Sequence, residues 1–269
     1  MILSIIIVSY NTKDFLKRCM DSIFTEGGIN DLEIIVIDNN STDGTREMLK
    51  KFQSDHSEVI TVFNEKNVGF ATAVNQGVKK SKSDYLLLLN SDIVIKQQSL
   101  EKMISFAKEY PEAGIIGGRL LNLDNSSQAS IYHFPTIGRA IKEYWFRQKG
   151  SFEKYTPLMK KDYVSVDVVT GAVMLIPRKT IEKIGLLDER YFMYFEDLDY
   201  CRRVNKAGYK IYYLPEAEFI HAHGASGKSI PGQTWKWLVR SSQIYHGRLK
   251  YYLISLIIWT GQKWQKLWH

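Results

Sequence analysis

Apolar runs and helical periods alternate through the first half of the chain. Four apolar runs have the length and the polar boundaries of buried strands; they occupy residues 3–9, 33–38, 59–63 and 85–90. The segments between them show helical spacing of apolar residues or helix-capping signals; they occupy about 13–24, 45–52, 71–80 and 99–110. This strand–helix repeat predicts an α/β fold in which helices cover both faces of a mostly parallel sheet.

The repeat breaks down after Gly118. Residues 119–162 are polar and aromatic with few regular periods, and we expect them to form a long excursion over the active face. Regular patterns then return as a strand at 164–176, a helix from Arg178 closed by Gly185, a helix at 196–207 and a strand at 210–214. We therefore expect a less regular order of strands and helices in the second half than in the first.

Size and composition fit one folded unit. The chain has 269 residues, of which 45% are hydrophobic and 24% are charged, as in an ordinary globular protein with a sizeable core. Because no repeat or linker interrupts it, we predict one domain over 1–231, with halves 1–118 and 119–231, followed by a helical tail over 232–269. The two cysteines lack CxxC spacing and the N-terminus lacks the basic region of a signal peptide, so we expect a cytoplasmic protein without disulfides.

The apolar run at 85–90 stops abruptly at Asn90, Ser91 and Asp92. A continuous run without alternation is typical of a strand buried on both faces of a parallel sheet. Ligands of such sheets bind in the crevice at the carboxyl ends of the strands. Asp92 is therefore expected where a metal-bridged diphosphate could be held. The alternative is that the three polar residues only form a turn at the end of the strand.

Polar residues follow all four strands of the first half. The candidates are Ser9, Tyr10, Asn11, Asp38, Asn39, Asn67, Gly69, Asn90 and Ser91. In a parallel sheet these positions converge on one edge, where they could bind the base and the ribose of a nucleotide. Each one alone is also explained as part of a turn. The chain contains neither GxGxxG nor GxxxxGK[ST], which argues against a classical dinucleotide or ATP site.

Two further clusters carry candidate catalytic and metal-binding groups. Glu196 and Asp197 follow an aromatic run that begins at Phe192. Apolar surroundings can raise the pKa of an acid toward the range of a general base, although acids at a helix start also complement the helix dipole. His221 and His223 lie among glycines after a strand. Imidazole, carboxylate and diphosphate oxygens together suit a divalent metal, and a structural histidine is the alternative.

The net charge of +7 is concentrated at the C-terminal end. Residues 219–269 contain no acid, seven lysines and arginines, and five of the six tryptophans. Basic residues interleaved with tryptophans around the apolar stretch 251–259 suggest a helix lying on an anionic membrane surface. The stretch is shorter than the roughly 20 residues that span a bilayer. No motif supports a nucleic-acid partner, and the remaining alternative is a helix that packs on the body of the protein.

Taken together, these segments resemble the family-2 glycosyltransferases of the GT-A fold, in particular the bacterial rhamnosyltransferase-like branch. The matching segments, in the order found in the family, are 4–11, 36–45, 67–71, 86–92, 170–175, 192–202 and 221–226. Each segment alone is weak, but the ordered set is specific. The tail after about residue 232 has only a loose counterpart.

The resemblance implies an inverting transfer of a sugar from a nucleoside diphosphate to an acceptor hydroxyl. It assigns nucleotide-sugar binding to residues 1–118, and acceptor binding and catalysis to residues 119–231. The residues that match the nucleotide site of the family are Ser9, Asn11, Asp38, Asn67 and Ser91. Asp197 matches the catalytic base, with Glu196 as its neighbour.

The resemblance also implies a site for Mg²⁺ or Mn²⁺ with one acid fewer than a full DxD motif. Asp92 stands at the last position of that motif, whereas Asn90 replaces the first acid. His221 matches the metal-ligating histidine better than His223, judging by the spacing to Gly224. We therefore expect metal binding to depend on Asp92, His221 and the phosphates of the donor, and to be weak without nucleotide.

Donor and acceptor remain open at this point. Similarity to the branch favours dTDP-L-rhamnose, followed by UDP-hexoses or UDP-galactofuranose. It also favours a saccharide or polyprenyl-linked saccharide acceptor at the inner face of the cytoplasmic membrane, in cell-wall, O-antigen or capsule synthesis. Two alternatives from other classes are a sugar nucleotidyltransferase and a carbohydrate-binding module without activity. A nucleotidyltransferase usually has a loop rich in glycine and basic residues after the first strand. Residues 9–13 contain no glycine, and the candidate acids are intact.

Overall fold

The strand–helix repeat of the first half is present in the computed structural model, which describes residues 1–157, 162–222 and 231–266. The strands are β1 (Leu3–Ser9), β2 (Leu32–Asp38), β3 (Val59–Phe63), β4 (Tyr85–Asn90), β5 (Ile93–Ile95), β6 (Ala113–Leu121), β7 (Ser127–Gln128), β8 (Ile131–Tyr132), β9 (Val164–Ser165), β10 (Val168–Val169), β11 (Val173–Pro177) and β12 (Lys210–His221). The helices are α1 (Lys13–Glu26), α2 (Thr45–Asp55), α3 (Phe70–Lys80), α4 (Ser99–Glu109), α5 (Ile137–Tyr144), α6 (Arg178–Ile184), α7 (Glu196–Lys206), α8 (Pro231–His246) and α9 (Arg248–Lys266). The strands and helices predicted for the first half are confirmed, with small shifts at their ends.

Strands β1 to β4 form the parallel half of the main sheet. β1 lies between β2 and β4, β3 flanks β2, and all three pairs are parallel. The register pairs Ser9 with Asp38 and Val8 with Asn90. The strand ends that carry the predicted polar residues therefore meet at one edge.

The parallel strands are buried on both faces, as apolar runs without alternation predict. On one face, Ile5 and Ile7 pack with residues of α1 and α4. On the other face, Ile6 packs with residues of α3 and α7. Full burial of one such side chain is worth roughly 1.5–3 kcal/mol, so these two layers hold the strand ends firmly in place.

The second half makes the main sheet mixed. β11 pairs antiparallel with β4 and β6, whereas β12 pairs parallel with β6 and antiparallel with β5. The single strand predicted at 164–176 is wrong, because β9 pairs with β12, β10 pairs with β8 in a separate small sheet, and only β11 enters the centre. A bend at Asp167 and a turn at 171–172 interrupt the strand, although the valine-rich pattern suggests that it is continuous.

β12 is longer than predicted and ends at the candidate site. It continues beyond Leu214 to His221, past a register shift between Leu214 and Glu218. Glu216 and Glu218 lie in this extension, and their polarity conceals the strand because apolar patterning is the main signal for one. The extension places His221 opposite Ile93 of β5.

The segment 119–162 contains regular elements where it is described. β6 ends at Leu121, β7 and β8 follow, and α5 begins after Thr136, whose hydroxyl accepts from the N–H of Arg139 at 3.2 Å. The segment predicted as a long excursion thus contains short strands and a helix that its sequence pattern does not reveal. α5 has little more than two turns, so too few apolar positions recur for a helical period to stand out.

The tail forms two helices whose inner faces pack on the rest of the chain. On α8, the Trp237 ring lies 4.6 Å from the Phe192 ring. On α9, Gly261 lies so close to α5 that an added Cβ would be 2.6 Å from the Cβ of Tyr144. Among the described helices none is long and apolar enough to cross a bilayer. The division of the chain at residue 231 stays a prediction.

Candidate active site

A cavity of about 750 Å³ opens where the strand ends of the first half face the aromatic run and α8. The predicted site residues that line it are Tyr10, Asn39, Asn67, Asn90, Ser91, Asp92, Glu196, Asp197 and His221. The other predicted residues, Ser9, Asn11, Asp38 and Gly69, lie outside this lining. Candidate groups from both halves of the chain therefore meet in one place.

Asp38 has one fixed oxygen and one buried oxygen without a partner. Its side chain is fully buried at the end of β2, and Oδ2 accepts from the N–H of Ser41 at 3.1 Å and from Nε of Arg46 at 2.8 Å. Oδ1 has no hydrogen-bond partner among the described residues. Because an unsatisfied buried acceptor is costly, Oδ1 suits a donor from a ligand, such as the imide N–H of a pyrimidine. Arg46 was not predicted from the sequence.

Ser9 and Asn11 connect the loops behind the cavity. The hydroxyl oxygens of Ser9 and Thr12 lie 3.0 Å apart, and Thr12 Oγ1 donates to Ser91 Oγ at 3.0 Å. Asn11 has a left-handed backbone with φ of 53°, and its Oδ1 accepts from the N–H of Thr42 at 2.8 Å. These bonds join three strand-end loops, so both residues shape the edge from behind.

At Gly69 the two halves of the chain are in direct contact. Its φ is +87°, and an added Cβ would lie 2.6 Å from the carbonyl oxygen of Phe192. The next residue, Phe70, donates its N–H to the same oxygen at 2.7 Å. Asn67 Oδ1 accepts from the N–H of Gly69 at 2.9 Å, and Asn39 Nδ2 donates to its carbonyl at 3.3 Å. A glycine is required here because both the backbone angle and the close approach exclude a side chain.

Strand pairing brings Asp92 and His221 together. His221 Nε2 lies 3.4 Å from Asp92 Oδ1, and both side chains are buried. His221 Nδ1 lies 2.6 Å from Oε1 of Gln128. A proton on Nδ1, donated to Gln128, places the lone pair of a neutral imidazole on Nε2, the nitrogen that faces Asp92. Gln128 was not predicted, because nothing local marks a polar residue in so short a strand.

The donor set of this pair fits a divalent cation. A carboxylate oxygen and an imidazole nitrogen that face each other are ligands that Mg²⁺ or Mn²⁺ accepts. Within the described ranges, no three histidine, cysteine, aspartate or glutamate side chains converge on one point. Oxygens of a substrate would therefore have to complete the coordination. His223 lies outside the described residues, and metal binding stays a prediction.

Glu196 and Asp197 enter the cavity from a strained turn. The preceding residues, Tyr194 and Phe195, have φ of +70° and +67°, which is rare for bulky side chains and costs of order 1–3 kcal/mol each. Asp197 Oδ2 accepts from the N–H of Gly171 at 3.1 Å, and Oδ1 accepts from the following backbone N–H at 2.8 Å. Such strain is typical of functional sites, where the surrounding structure maintains it.

The two carboxyl groups differ in what stabilises their charge. Burial raises the pKa of both groups, and the Asp197 charge raises that of Glu196 further. At Asp197, the backbone N–H groups and then Lys154 oppose the increase in pKa. Oε2 of Glu196, in contrast, is buried without a partner among the described residues. Because adjacent buried carboxyls share protons as a pair, we infer that Glu196 holds the proton and Asp197 is ionised.

Several other residues of the cavity region were not singled out from the sequence. Tyr132, Lys154 and Trp237 line the cavity but come from the segment 119–162 and from α8. Their positions depend on long-range contacts, so no local pattern identifies them. Asp199, the third acid of the cluster, is buried against two arginines and has a structural role.

Comparison with solved structures shows the fold of the chain. The crystal structure of GalNAc-T7 with UDP, GalNAc and Mn²⁺ has a TM-score of 0.64, over 82% of this chain and 43% of that chain. The Pyrobaculum calidifontis mannosyltransferase PcManGT with GDP-Man and Mn²⁺ has a TM-score of 0.61, over 94% and 64%. Sequence identity is 15% in both cases, and this chain spans less than two thirds of either protein. The likeness confirms the predicted GT-A glycosyltransferase fold.

The chain belongs to glycosyl transferase family 2, whose family model matches residues 4–185. The N-acetylglucosaminyl-diphospho-decaprenol L-rhamnosyltransferase of Mycobacterium tuberculosis is 26% identical over 238 residues, 82% of this chain and 76% of that protein. Rhamnosyltransferase WbbL of Escherichia coli is 26% identical over 254 residues, 91% of this chain and 92% of that protein. The protein is thus a glycosyltransferase, as its resemblance implied.

Proposed function

We propose that the protein transfers a sugar, with inversion, from a nucleoside diphosphate to an acceptor hydroxyl. The observation that carries this proposal is that Asp197 and the strand-end residues line the same cavity. The edge supplies a nucleotide site, and the opposite wall supplies a carboxylate that can accept a proton. A transferase needs both groups in one space, because donor and acceptor must meet.

At the nucleotide edge, the proposed ligands are the residues predicted from the sequence. Asp38 Oδ1 would accept from the base or the ribose, and Asn39 and Asn67 line the adjacent part of the cavity. Asp92 and His221 would hold Mg²⁺ or Mn²⁺ together with diphosphate oxygens. When bound, such a cation stabilises, as a Lewis acid, the negative charge on the diphosphate.

Asp197 is the proposed general base. Its carboxylate takes the proton of the acceptor hydroxyl while the hydroxyl oxygen forms a bond to the anomeric carbon. The bond from that carbon to the diphosphate oxygen breaks, and its electron pair leaves with the nucleoside diphosphate. Glu196, already protonated, cannot take this proton, so its proposed role is to keep the charge of the pair low. General-base assistance is typically worth about 10² to 10⁴ in rate.

For the donor and the acceptor, the names of the relatives give the best starting point. The two relatives described above are rhamnosyltransferases, and one acts on a diphospho-decaprenol substrate. We therefore propose L-rhamnose from dTDP-rhamnose as the transferred sugar and a saccharide or polyprenyl-linked saccharide as the acceptor, in bacterial surface polysaccharide synthesis. UDP-hexose and UDP-galactofuranose are the second choice for the donor.

We also propose that the protein is cytoplasmic and binds peripherally to the membrane through the outer face of α9. Ile254 and Gly261 of α9 are buried, whereas Leu249, Tyr252 and Leu256 are 85%, 62% and 54% exposed on the opposite side. The spacing of these three exposed residues places them on one helical face. No acid occurs in 219–269, so this apolar face and its basic neighbours suit an anionic lipid surface.

Vesicle flotation tests the membrane proposal with the full chain. Leu256→Glu should reduce binding to vesicles that contain phosphatidylglycerol, because it places a charge on the apolar face. Leu123→Glu is the control, since Leu123 is even more exposed, at 74%, but lies in a turn outside the tail. Equal binding of Leu256→Glu and the wild type would refute the proposal.

An assay with labelled nucleotide sugars, Mn²⁺ and acceptor tests the reaction itself. The proposed transferase releases a nucleoside diphosphate and a labelled saccharide. A nucleotidyltransferase would release pyrophosphate, and a carbohydrate-binding module would release neither. Screening dTDP-rhamnose against UDP-sugars by thermal shift would first identify the donor, since a ligand that binds the folded state raises the Tm.

A further inference from the structure

A lone basic side chain stands in the cavity. Among the described lining residues, Lys154 is the one lysine or arginine. The carboxyl groups of the lining belong to Asp92, Glu153, Glu196 and Asp197. The Lys154 ammonium forms no ion pair with a described residue and lies 5.6 Å from the ring centroid of Tyr132. It is accessible to solvent, so a ligand in the cavity can reach it.

The loop that carries Lys154 is fixed by a buried carboxylate. Glu143, in the last turn of α5, is only 8% exposed. Its oxygens accept from the backbone N–H groups of Gly150 at 3.2 Å, Phe152 at 2.6 Å and Glu153 at 3.1 Å. These bonds satisfy a buried charge that would otherwise be costly. They also fix the backbone immediately before Lys154.

Contacts on either side hold the same loop. The Tyr144 hydroxyl donates to the Glu153 carboxylate. The N–H of Tyr155 donates to the carbonyl of Ile131 at 2.9 Å, which joins the loop to β8. From α9, Gln265 Nε2 donates to the carbonyl of Tyr144 at 2.8 Å. Lys154 therefore extends from a loop that is anchored before and after it, unlike a lysine on a solvated surface.

The charges of the cavity explain what this lysine could bind. A phosphate-bearing substrate adds negative charge to a space that is already lined by carboxyl groups. A divalent cation at Asp92 and His221 would offset part of this charge but lies on the nucleotide edge. Lysine binds phosphate as a compact point charge. An anion near Lys154 would thus meet a positive group that the loop after α5 supplies to the same cavity.

We propose that Lys154 binds a phosphate oxygen of a substrate in the cavity and that Glu143 positions the loop for this contact. The proposal rests on the proposed function and adds a binding residue to it. The same chemistry is offered by the diphosphate of the donor and by a phosphate that links an acceptor to its lipid. The experiment distinguishes these two sources.

Binding and kinetics of Lys154→Met in the full chain test the proposal. Calorimetry with UDP, dTDP and uridine in the presence of Mn²⁺ gives the donor arm. The KM for a diphosphate-linked saccharide and for the same saccharide without phosphate gives the acceptor arm. Lys149→Met is the matched control, because Lys149 is exposed in the same loop and does not line the cavity. Loss of a charge-assisted contact should weaken binding about tenfold.

Each outcome has a defined meaning. A higher Kd for UDP or dTDP, with uridine unchanged, supports contact with the donor diphosphate. A higher KM for the diphosphate-linked acceptor alone supports contact with its phosphate. No change in either arm, or an equal loss for uridine, overturns the proposal. If the wild type binds no nucleoside diphosphate, the proposed function itself fails.

Glu143→Gln tests the positioning role separately. The amide can accept at one atom only, so the loop should lose part of its anchoring while Lys154 remains. We expect Glu143→Gln to weaken the same binding step as Lys154→Met, and to add little in the double variant because both act through one contact. A full additional loss in the double variant would contradict the positioning role. Circular dichroism of each variant controls for folding.

Discussion

The nucleotide edge and the wall opposite it use carboxylates in contrasting ways. Asp38, on the edge, has a fixed oxygen with a guanidinium and a backbone N–H as partners. Glu196, on the wall, has a buried oxygen without a partner in the described structure, and its pKa is raised by burial and by Asp197. A carboxylate fixed in its ionised form by a guanidinium is suited to recognise a ligand, whereas a poorly solvated pair of carboxyl groups can exchange a proton.

The two regions also differ in how they are built. The edge comes from consecutive strands whose ends are brought together by the register of one parallel sheet. The wall is assembled from the strained turn before α7, from α8 and from the loop after α5. A change in the edge should therefore affect donor binding first, and a change in the acids at the start of α7 should affect turnover first.

The largest expected effect separates turnover from binding at the wall. Asp197→Asn removes the proposed base, so kcat should fall by about 10² to 10⁴, while the Kd for UDP or dTDP stays close to that of the wild type. Glu196→Gln should retain most of the activity at neutral pH, because the amide resembles the protonated acid. Equal losses in both variants would contradict the assignment of the proton to Glu196.

Substitutions at the nucleotide edge should reduce the metal-dependent binding of nucleotide. Asp92→Ala should remove the stimulation of UDP binding by Mn²⁺. Loss of a group that orients a ligating histidine typically costs about 10- to 100-fold in metal affinity or activity, so Gln128→Leu should weaken this stimulation by that amount. Calorimetry with and without Mn²⁺ measures both. Unchanged stimulation in Asp92→Ala would remove Asp92 from the metal site.

Alanine substitutions at two glycines test the contact between the edge and the wall. Gly69 and Gly185 have nearly the same backbone angles, with φ of +87° and +85° and ψ of 168° and −166°. An added Cβ meets the Phe192 carbonyl at Gly69 and nothing within 4 Å at Gly185. Gly185→Ala should thus cost only the backbone strain, of order 1–3 kcal/mol. Gly69→Ala should cost more in urea unfolding, and equal costs would mean that the contact is unimportant.

The smallest expected effect is a shift in the pH dependence of turnover. Asp197 must be ionised to accept a proton, so the rate falls as the pH drops through its raised pKa. The positive charge of Lys154 favours the ionised form of Asp197 and thereby lowers its pKa. Lys154→Met should therefore move the acid limb of the kcat profile to higher pH, by up to about one unit. Lys149→Met should leave the limb where it is.

The edge could be predicted from the sequence because its signals are local. An apolar run and the polar residues after it give both the strand and the position of its end, and parallel pairing then brings Asp38 and Asn90 to one place. Arg46 was nevertheless not predicted. The Asp38 carboxylate needs a partner because it is buried, and its burial is known only from the structure. The order of the motifs along the chain also indicated the protein family, and the match to the family model confirms it.

The wall could be predicted only in part. Glu196 and Asp197 were found because acids after an aromatic run are conspicuous, but the division of the proton between them depends on the N–H of Gly171, 26 residues away. Lys154 and Trp237 have no local signature. Their positions follow from packing of α5 and α8 on the rest of the chain. Short sequence patterns do not predict such contacts between distant segments.

The most direct test of the account is the anomeric configuration of the product. With the donor identified by thermal shift, NMR of the newly formed glycosidic bond can be compared with the configuration of that donor. A single displacement assisted by Asp197 predicts inversion at the anomeric carbon. Retention of configuration, or release of pyrophosphate instead of a nucleoside diphosphate, would contradict the proposed mechanism.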